Sequence, residues 1–188
     1  MTDLIALWHT EHANFSRLLA LLEEQVAQFH DGEQPDYGLM LDIVSYLREC
    51  PDRFHHPRED VMFAQLVARD PTMRIPINRL RQEHRVISVA GEELRLLLED
   101  VIAGAVVRRT SLEAAAAVYL AYYRHHLSTQ EREVLPRAAQ ALTPQDLAAI
   151  ASAVEPGPDP LFGATPNERY RELHEVLAAR QTVSRRLD

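Results

Sequence analysis

The chain has 188 residues, of which 46% are hydrophobic and 26% are charged, and its net charge is -8 at pH 7. This length suits one ordinary globular domain. The acidic balance argues against a general nucleic-acid binder, which would carry a basic face. The single cysteine, Cys50, excludes both an intrachain disulfide framework and a cysteine-based zinc site. The nine histidines are the unusual feature of the composition, because little else in the chain can bind metal or catalyse.

The N-terminal segment does not resemble a signal peptide. Asp3 lies where such a peptide is positively charged, and the apolar run ends at His9. No window reaches the roughly 18 consecutive apolar residues of a membrane span. We therefore expect a cytoplasmic protein that has no membrane partner.

Helical periodicity runs through almost the whole chain, with apolar residues at spacings of three, four and seven. Turn-forming proline and glycine residues divide this pattern. Pro51 and Pro57 interrupt the second long helix, so we expect a kink or a short break near each. The predicted long helices cover residues 2–29, 37–69, 75–101 and 111–142, and shorter helices cover residues 144–154 and 165 to about 180.

Four long helices with short connections predict an all-α protein, built as an antiparallel four-helix bundle with two short C-terminal helices. We expect the bundle to span residues 1–142 and a C-terminal helical extension, packed on the bundle, to span residues 143–188. In the last helix, apolar residues such as Leu173 and Leu177 recur at spacings of three and four. This helix is therefore expected to cover the bundle or to form a homodimer contact.

Each long helix carries a histidine on or beside its apolar face, and the second and fourth helices add an acidic residue. The pattern repeats along the chain, because the first and third helices share Glu-His and the second and fourth share His-His followed by an acid. The matching positions are separated by 71 or 72 residues. Two halves related by a pseudo-twofold axis would each supply two histidines and one carboxylate. The six predicted metal ligands are His12, His55, Glu59, His84, His126 and Glu131.

This set of residues needs a compensating charge in the core of a bundle. A buried carboxylate without a partner normally becomes protonated or finds one. Two divalent metal ions would satisfy the set, with the carboxylates bridging and the imidazoles terminal, as in the di-iron and di-manganese sites of other helical bundles. Ligation by imidazole and carboxylate without thiolate suits iron or manganese, and it is also compatible with zinc.

The other five histidines are expected to have ordinary roles. His9, His56 and His125 lie beside the predicted ligands in the sequence and could hydrogen-bond to them. His30 and His174 are expected to be solvated on the surface.

The ligand motif of the hemerythrin-like (HHE cation-binding) domain family resembles the pattern His12, His55-x-x-x-Glu59, His84 and His126-x-x-x-x-Glu131. The resemblance covers residues 2 to about 142. Leu-Thr at 142–143 and Asp-Pro-Leu-Phe-Gly at 159–163 extend it to a bacterial single-domain subgroup. It implies a four-helix bundle with two iron ions in an oxo- or hydroxo-bridged non-heme centre, which meets oxygen or related small molecules. It also implies that Glu59 and Glu131 bridge the ions and that the four histidines are terminal ligands.

The chain departs from the oxygen-transporting hemerythrins at the third helix. Those proteins carry a second histidine four residues from the third-helix histidine, but Leu80 and Ser88 hold these positions around His84. One iron would then lack an imidazole, and water, an exogenous ligand, or a tyrosine such as Tyr119 or Tyr123 would replace it. This departure argues against reversible oxygen transport.

The second departure is the spacing of five residues between His126 and Glu131. Five residues turn an ideal helix by about 140° from the starting face, and Gln130 holds the four-residue position. A local π-type widening would bring Glu131 inward. We predict Glu131 as the ligand, with Gln130 as the structural alternative.

Two functions fit such a centre. The first is a metal-binding protein whose di-iron centre binds or senses oxygen, nitric oxide or peroxide. The alternative is a di-iron oxidoreductase acting on peroxide or ferrous iron, since an open coordination position serves both functions. The expected partner is a small diatomic ligand or peroxide. Metal storage is disfavoured, because two ions per chain store little.

Overall fold

The structure, a computed structural model, describes residues 4–154 and 157–184, and all regular secondary structure in these ranges is helical. The prediction of an all-α chain is confirmed for these residues. Residues 1–3 of the predicted segment 1–142, and residues 155–156 and 185–188 of the predicted segment 143–188, lie outside the described residues. Within the described ranges, no helix is both long enough and apolar enough to cross a membrane. The α-helices are α1 (Leu4–His30), α2 (Tyr37–Cys50), α3 (His56–Arg69), α4 (Arg74–Ile102), α5 (Arg109–Thr129), α6 (Leu135–Ala141), α7 (Pro144–Ser152) and α8 (Arg171–Ser184).

The predicted second and fourth long helices each continue through a π-helical turn. Pro51–His55 joins α2 to α3, and Gln130–Val134 joins α5 to α6. Each turn ends two residues before a proline, Pro57 or Pro136. Because proline has no N–H for the carbonyl four residues earlier, the next N–H that can reach this carbonyl is five residues away, as in a π-helix. The interruption predicted near Pro57 and the widening predicted after His126 are therefore both present.

The long helices pack against one another along their apolar sides. α4 contacts α5 and α2, and α1 contacts both α5 and α2. Gly91 permits a close approach on α4, because a Cβ there would lie 2.8 Å from Cε2 of Tyr119 and 3.0 Å from Cδ of Arg48. A larger residue at this position would push the Tyr119 ring or the Arg48 side chain away.

Two hydrophobic clusters form the core, one on each side of the predicted ligands. On α1, Trp8 belongs to the smaller cluster and Phe15 to the larger one. On α4, Leu80 and Ile87 are divided in the same way, and His84 lies between them. The predicted ligands therefore lie at the boundary between the two clusters, with apolar side chains on both sides.

The segment after α6 also packs on the long helices. α7 contacts α3, and α8 contacts α2. Leu161, Leu173 and Leu177 are buried in the larger hydrophobic cluster. The hydroxyl of Tyr46 on α2 donates a hydrogen bond to the carboxylate of Asp159, at 2.9 Å. The apolar side of α8 is therefore covered within this chain.

Candidate metal centre

Five of the six predicted ligands lie next to one another where α1, α3, α4 and α5 meet, and we call these residues the His/Glu cluster. Neighbouring members are linked by atom pairs between 3.1 and 3.3 Å apart. Four members are at most 2% exposed, and the fifth, His84, has a side chain that is 14% exposed. The members of the cluster are His12, His55, Glu59, His84 and His126.

Glu59 lies at the centre of the cluster. Its Oε1 is 3.1 Å from Nε2 of His55 and 3.7 Å from Nε2 of His12. Its Oε2 is 3.3 Å from Nε2 of His84, but has no hydrogen-bond partner although it is fully buried. Burial acts to raise the pKa of Glu59, but the surrounding imidazoles outweigh it and hold this pKa well below its usual value. The carboxyl group is therefore ionised and faces histidines on both sides.

Carboxylates fix the orientation of three imidazoles of the cluster. An ionised carboxylate can only accept a hydrogen bond, so the proton of each pair is on Nδ1 of the histidine. The same arrangement around metal sites orients the ring and leaves the other nitrogen free for the metal. The pairs formed by Nδ1 and a carboxylate oxygen are His12 with Glu131 at 2.6 Å, His55 with Glu11 at 2.7 Å and His126 with Glu83 at 3.3 Å.

The Nε2 atoms of the cluster face one another. They are 3.3 Å apart in the His12–His55 pair and 3.1 Å apart in the His84–His126 pair. Where Nδ1 carries the proton, Nε2 of a neutral imidazole presents a lone pair. Two lone pairs at such a distance repel each other, so each pair requires a proton or a cation beside it. The donor set, imidazole nitrogen and carboxylate oxygen without thiolate, fits divalent metal ions.

His55 and His126, one imidazole of each pair, have pKa values that are shifted in opposite directions. Burial acts to lower the pKa of His55, but the carboxylates of Glu59 and Glu11 outweigh it and raise this pKa to about 9. Burial also acts on His126, and there it dominates, so that its pKa is lowered to about 4. The His12–His55 side of the cluster therefore attracts positive charge more strongly than the other side.

Glu131 is the one predicted ligand that the structure does not bring into the cluster. Its carboxylate contacts Nδ1 of His12 and Nδ1 of His9, both at 2.6 Å, and its side chain is 33% exposed. Gln130 is fully buried instead, and its amide nitrogen donates to Oε1 of Glu59 at 2.6 Å. The amide oxygen of Gln130 has no hydrogen-bond partner. In this structure Gln130, and not Glu131, therefore occupies the inward-facing position of the π turn.

Sequence reasoning missed one member of the site, His56. One ring nitrogen of His56 lies within 4.8 Å of ligand atoms of both Glu59 and His84, in the same way that His12, His55 and Glu59 group together. Nδ1 of His56 lies 2.8 Å from the carboxylate of Asp52. Asp52 lies four residues before His56, and this spacing was the available sequence signal.

In the structure, the glutamate of each Glu-His dipeptide contacts a histidine on another part of the chain. Glu11 precedes His12 in the sequence but orients His55 on the neighbouring helix. Glu83 precedes His84 and contacts the imidazole of His126 in the same way. Each Glu-His dipeptide therefore supplies one inward histidine and a carboxylate for another one.

Further residues near the cluster have identifiable contacts. His125 lies 3.0 Å from Glu83, through Nδ1, and its side chain is 57% exposed. The hydroxyl groups of Tyr119 and Tyr123 are buried without a hydrogen-bond partner. The two tyrosine rings pack edge to face, and Tyr123 packs against Phe15. The tyrosines therefore border the site through the larger hydrophobic cluster.

Comparisons with known proteins identify the family. Neither the curated proteins nor the solved structures gave a match. The family model described as hemerythrin HHE cation binding domain matches residues 3–138, which include the whole cluster and both π turns. The chain therefore belongs to the hemerythrin HHE cation-binding domain family.

Proposed function

We propose that this protein holds a non-heme di-iron centre in an antiparallel four-helix bundle and uses it to bind or sense oxygen, nitric oxide or peroxide. The observation that carries the proposal is the convergence of two Nε2 pairs on the buried carboxylate of Glu59. Iron ions bound there would supply Lewis-acidic, redox-active positions for a small molecule. In this arrangement the segment 143–188 is a helical extension that packs on the bundle.

The chain's own residues prepare the site for cations. Glu59 would contribute one oxygen to each metal position, since its two oxygens face different histidine pairs. The carboxylates of Glu11 and Glu83 keep the protons on Nδ1 and aim Nε2 inward. A metal ion would replace the protons that now separate these nitrogens, so binding releases protons and strengthens as the pH rises.

Apolar and aromatic side chains limit the access of water. Phe15 packs edge-on against His55, with ring centroids 5.1 Å apart, and Phe63 stacks on His84 at 6.1 Å. Both phenylalanines are at most 3% exposed. Such surroundings favour the entry of small, weakly polar molecules over hydrated ions. This property supports a diatomic molecule such as oxygen or nitric oxide as the partner more than it supports peroxide.

The second bridging carboxylate, Glu131, stays a prediction. To reach the cluster its side chain would have to leave His9 and His12. The alternative donor is the amide oxygen of Gln130, which is buried and has no partner. Metal titration of Glu131→Ala and Gln130→Ala variants distinguishes the two, because loss of the true ligand should weaken metal binding by more than the about 10–100-fold expected from loss of the Glu131 contact to Nδ1 of His12 alone.

The test of the proposal is metal analysis of the purified protein together with its ultraviolet–visible spectrum. We expect two iron ions per chain and charge-transfer absorption that changes when oxygen or nitric oxide meets the reduced protein. A stable new spectrum supports binding or sensing, whereas repeated turnover of peroxide or ferrous iron shows the alternative, a di-iron oxidoreductase. A protein that binds no iron, even after reconstitution with ferrous iron, contradicts both.

A further inference from the structure

His56 follows His55 on the chain but lies against the opposite histidine pair. Its ring centroid is 4.2 Å from that of His84 and 6.4 Å from that of His126. Its side chain is 13% exposed, which is close to the 14% of His84. His56 is therefore a cluster neighbour and not a surface histidine.

The orientation of His56 matches that of the other inward imidazoles. Nδ1 lies 2.8 Å from Oδ1 of Asp52, and an ionised carboxylate only accepts, so Nδ1 carries the proton. The Nε2 lone pair is then free for a metal ion. A carboxylate on one nitrogen is the usual partner of a metal-binding histidine, because it fixes the ring and raises its basicity.

We propose that Nε2 of His56 is the third imidazole ligand of the metal position beside His84 and His126, and that Asp52 is its positioning residue. The inference rests on the proposed function. His56 would take the place of the imidazole that the third helix lacks at Leu80 and Ser88. One metal position then has two histidines, the other has three, and Glu59 is shared between them.

The internal repeat explains why only one half has this ligand. The shift of 71 residues that relates His55 to His126 makes Leu127 the residue equivalent to His56 in the other half of the repeat. Leu127 is 5% exposed and belongs to the larger hydrophobic cluster. The two metal positions are therefore unequal, and the one whose half carries Gln130 at the position equivalent to Glu59 gains an additional imidazole.

The experiment is a titration of the metal-free full chain with cobalt(II), followed by d–d absorption and by metal per chain. The wild-type protein should bind two cobalt ions. His56→Leu, which copies the residue of the other half, should keep one ion and bind the second ~10-fold or more weakly. His125→Gln is the matched control. His125 also lies next to a predicted ligand in the sequence and has Nδ1 beside a carboxylate, that of Glu83, but its side chain is 57% exposed.

Two more variants separate ligation from packing. His56→Gly should regain the second cobalt ion and its absorption when imidazole is added, which a purely structural role would not produce. Asp52→Asn should weaken only the second ion, by ~10-fold, because the ring loses the negative charge of its acceptor but keeps its nitrogen.

The outcomes distinguish the two proposals. If the wild-type chain binds no cobalt, the proposed function fails and the inference fails with it. If the wild-type chain and His56→Leu bind two ions with equal affinity, only the assignment of His56 is overturned. Loss of the second ion in His125→Gln to the same extent would also overturn it.

Discussion

The His12–His55 pair and the His84–His126 pair are built from similar parts, but the pKa values of His55 and His126 are shifted in opposite directions. In both pairs a glutamate that precedes one histidine contacts Nδ1 of the other. The pKa of His55 is nevertheless raised to about 9, and that of His126 is lowered to about 4. Burial acts in the same direction on both, so the difference comes from the neighbouring charges.

One substitution in the repeat contributes to this difference. Glu59 lies four residues after His55, and the equivalent position after His126 is Gln130. A buried carboxylate stabilises a proton or a metal ion, whereas an amide offers dipoles but no charge. His126 also has His84 and His56 beside it, and these imidazoles disfavour its protonated form. Two halves with the same histidines can therefore differ in metal and proton affinity through one residue.

Removal of the shared carboxylate should have the largest effect on this comparison. In Glu59→Gln both metal positions lose the buried anionic ligand that they share, so we expect affinity to fall on the order of 100-fold or more at each. Metal per chain after dialysis measures the loss. Glu133→Gln, the same substitution at an exposed glutamate of the π turn Gln130–Val134, is the control. Retention of two ions by Glu59→Gln would show that the carboxylate is not shared.

Removal of one histidine from each pair should separate the halves in the metal-free protein. His55→Gln leaves the buried carboxylate of Glu59 without its cationic partner, while Glu11 keeps Arg58, and it should cost about 3–5 kcal/mol of unfolding free energy. His126→Gln removes a neutral imidazole whose contacts, 3.3 Å to Glu83 and 3.1 Å to His84, involve no buried ion pair comparable to that of His55, and it should cost about 1 kcal/mol. Urea unfolding in the presence of a chelator measures both. Equal losses would contradict the charge difference between the halves.

The stability of the metal-free protein should be greatest near pH 6.5. The raised pKa of His55 gives stability that is complete below its unfolded value of 6.5 and is lost as the pH rises toward 9. The lowered pKa of His126 reduces stability at acid pH. Below pH 6.5 the unfolded chain binds a proton at this histidine, whereas the folded chain does not bind it until about pH 4, so the free energy of unfolding falls as the pH falls. The loss of unfolding free energy on the acid side and on the alkaline side should each amount to a few kcal/mol, on the order of 1.4 kcal/mol per pKa unit.

Unfolding at pH 5, 6.5 and 8.5 tests this pH dependence. The loss of stability between pH 6.5 and pH 8.5 should disappear in His55→Gln and in the metal-loaded protein, since neither retains the titrating proton on His55. A wild-type metal-free protein that is most stable at pH 8.5 would be inconsistent with the raised pKa.

The smallest effect is expected from the glutamates that contact Nδ1. Glu11→Gln and Glu83→Gln should each weaken the metal position of their own half by about 10–100-fold and leave the other half intact. The loss should be larger for Glu11, because its bond to His55 is 2.7 Å long, against 3.3 Å for the bond between Glu83 and His126. Metal titration measures both affinities. Equal weakening of both positions by either change would break the assignment of one carboxylate to each half.

The structure shows why some parts of the site were predictable. Helical periodicity fixes which face a residue occupies, so His12 and His84 could be placed inward from their apolar neighbours. The spacing of four between His55 and Glu59 places both side chains on one face. Pro51 and Pro57 indicated that the second long helix is interrupted, and a π turn begins at Pro51. The spacing of five between His126 and Glu131 indicated a widening of the fourth helix, and a π turn is present there as well.

Other parts depend on the turn that the backbone adopts. On an ideal helix His55 and His56 differ by about 100°, so both would not be expected to face one site. The π turn that ends at His55 changes the register, and both histidines lie at the cluster. The same uncertainty of register left Glu131 and Gln130 open, because the position of an extra residue in a helix is set by packing and not by the local sequence.

The sequence by itself determined an all-helical chain, two related halves and a core that contains histidine and carboxylate. These properties follow from periodicity and residue chemistry, which act locally. Only the tertiary structure decided that Glu11 orients His55, that Glu59 lies between two histidine pairs and that His56 joins the far pair. Such contacts join residues on different helices, and their geometry depends on how the helices rotate and pack around the shared carboxylate.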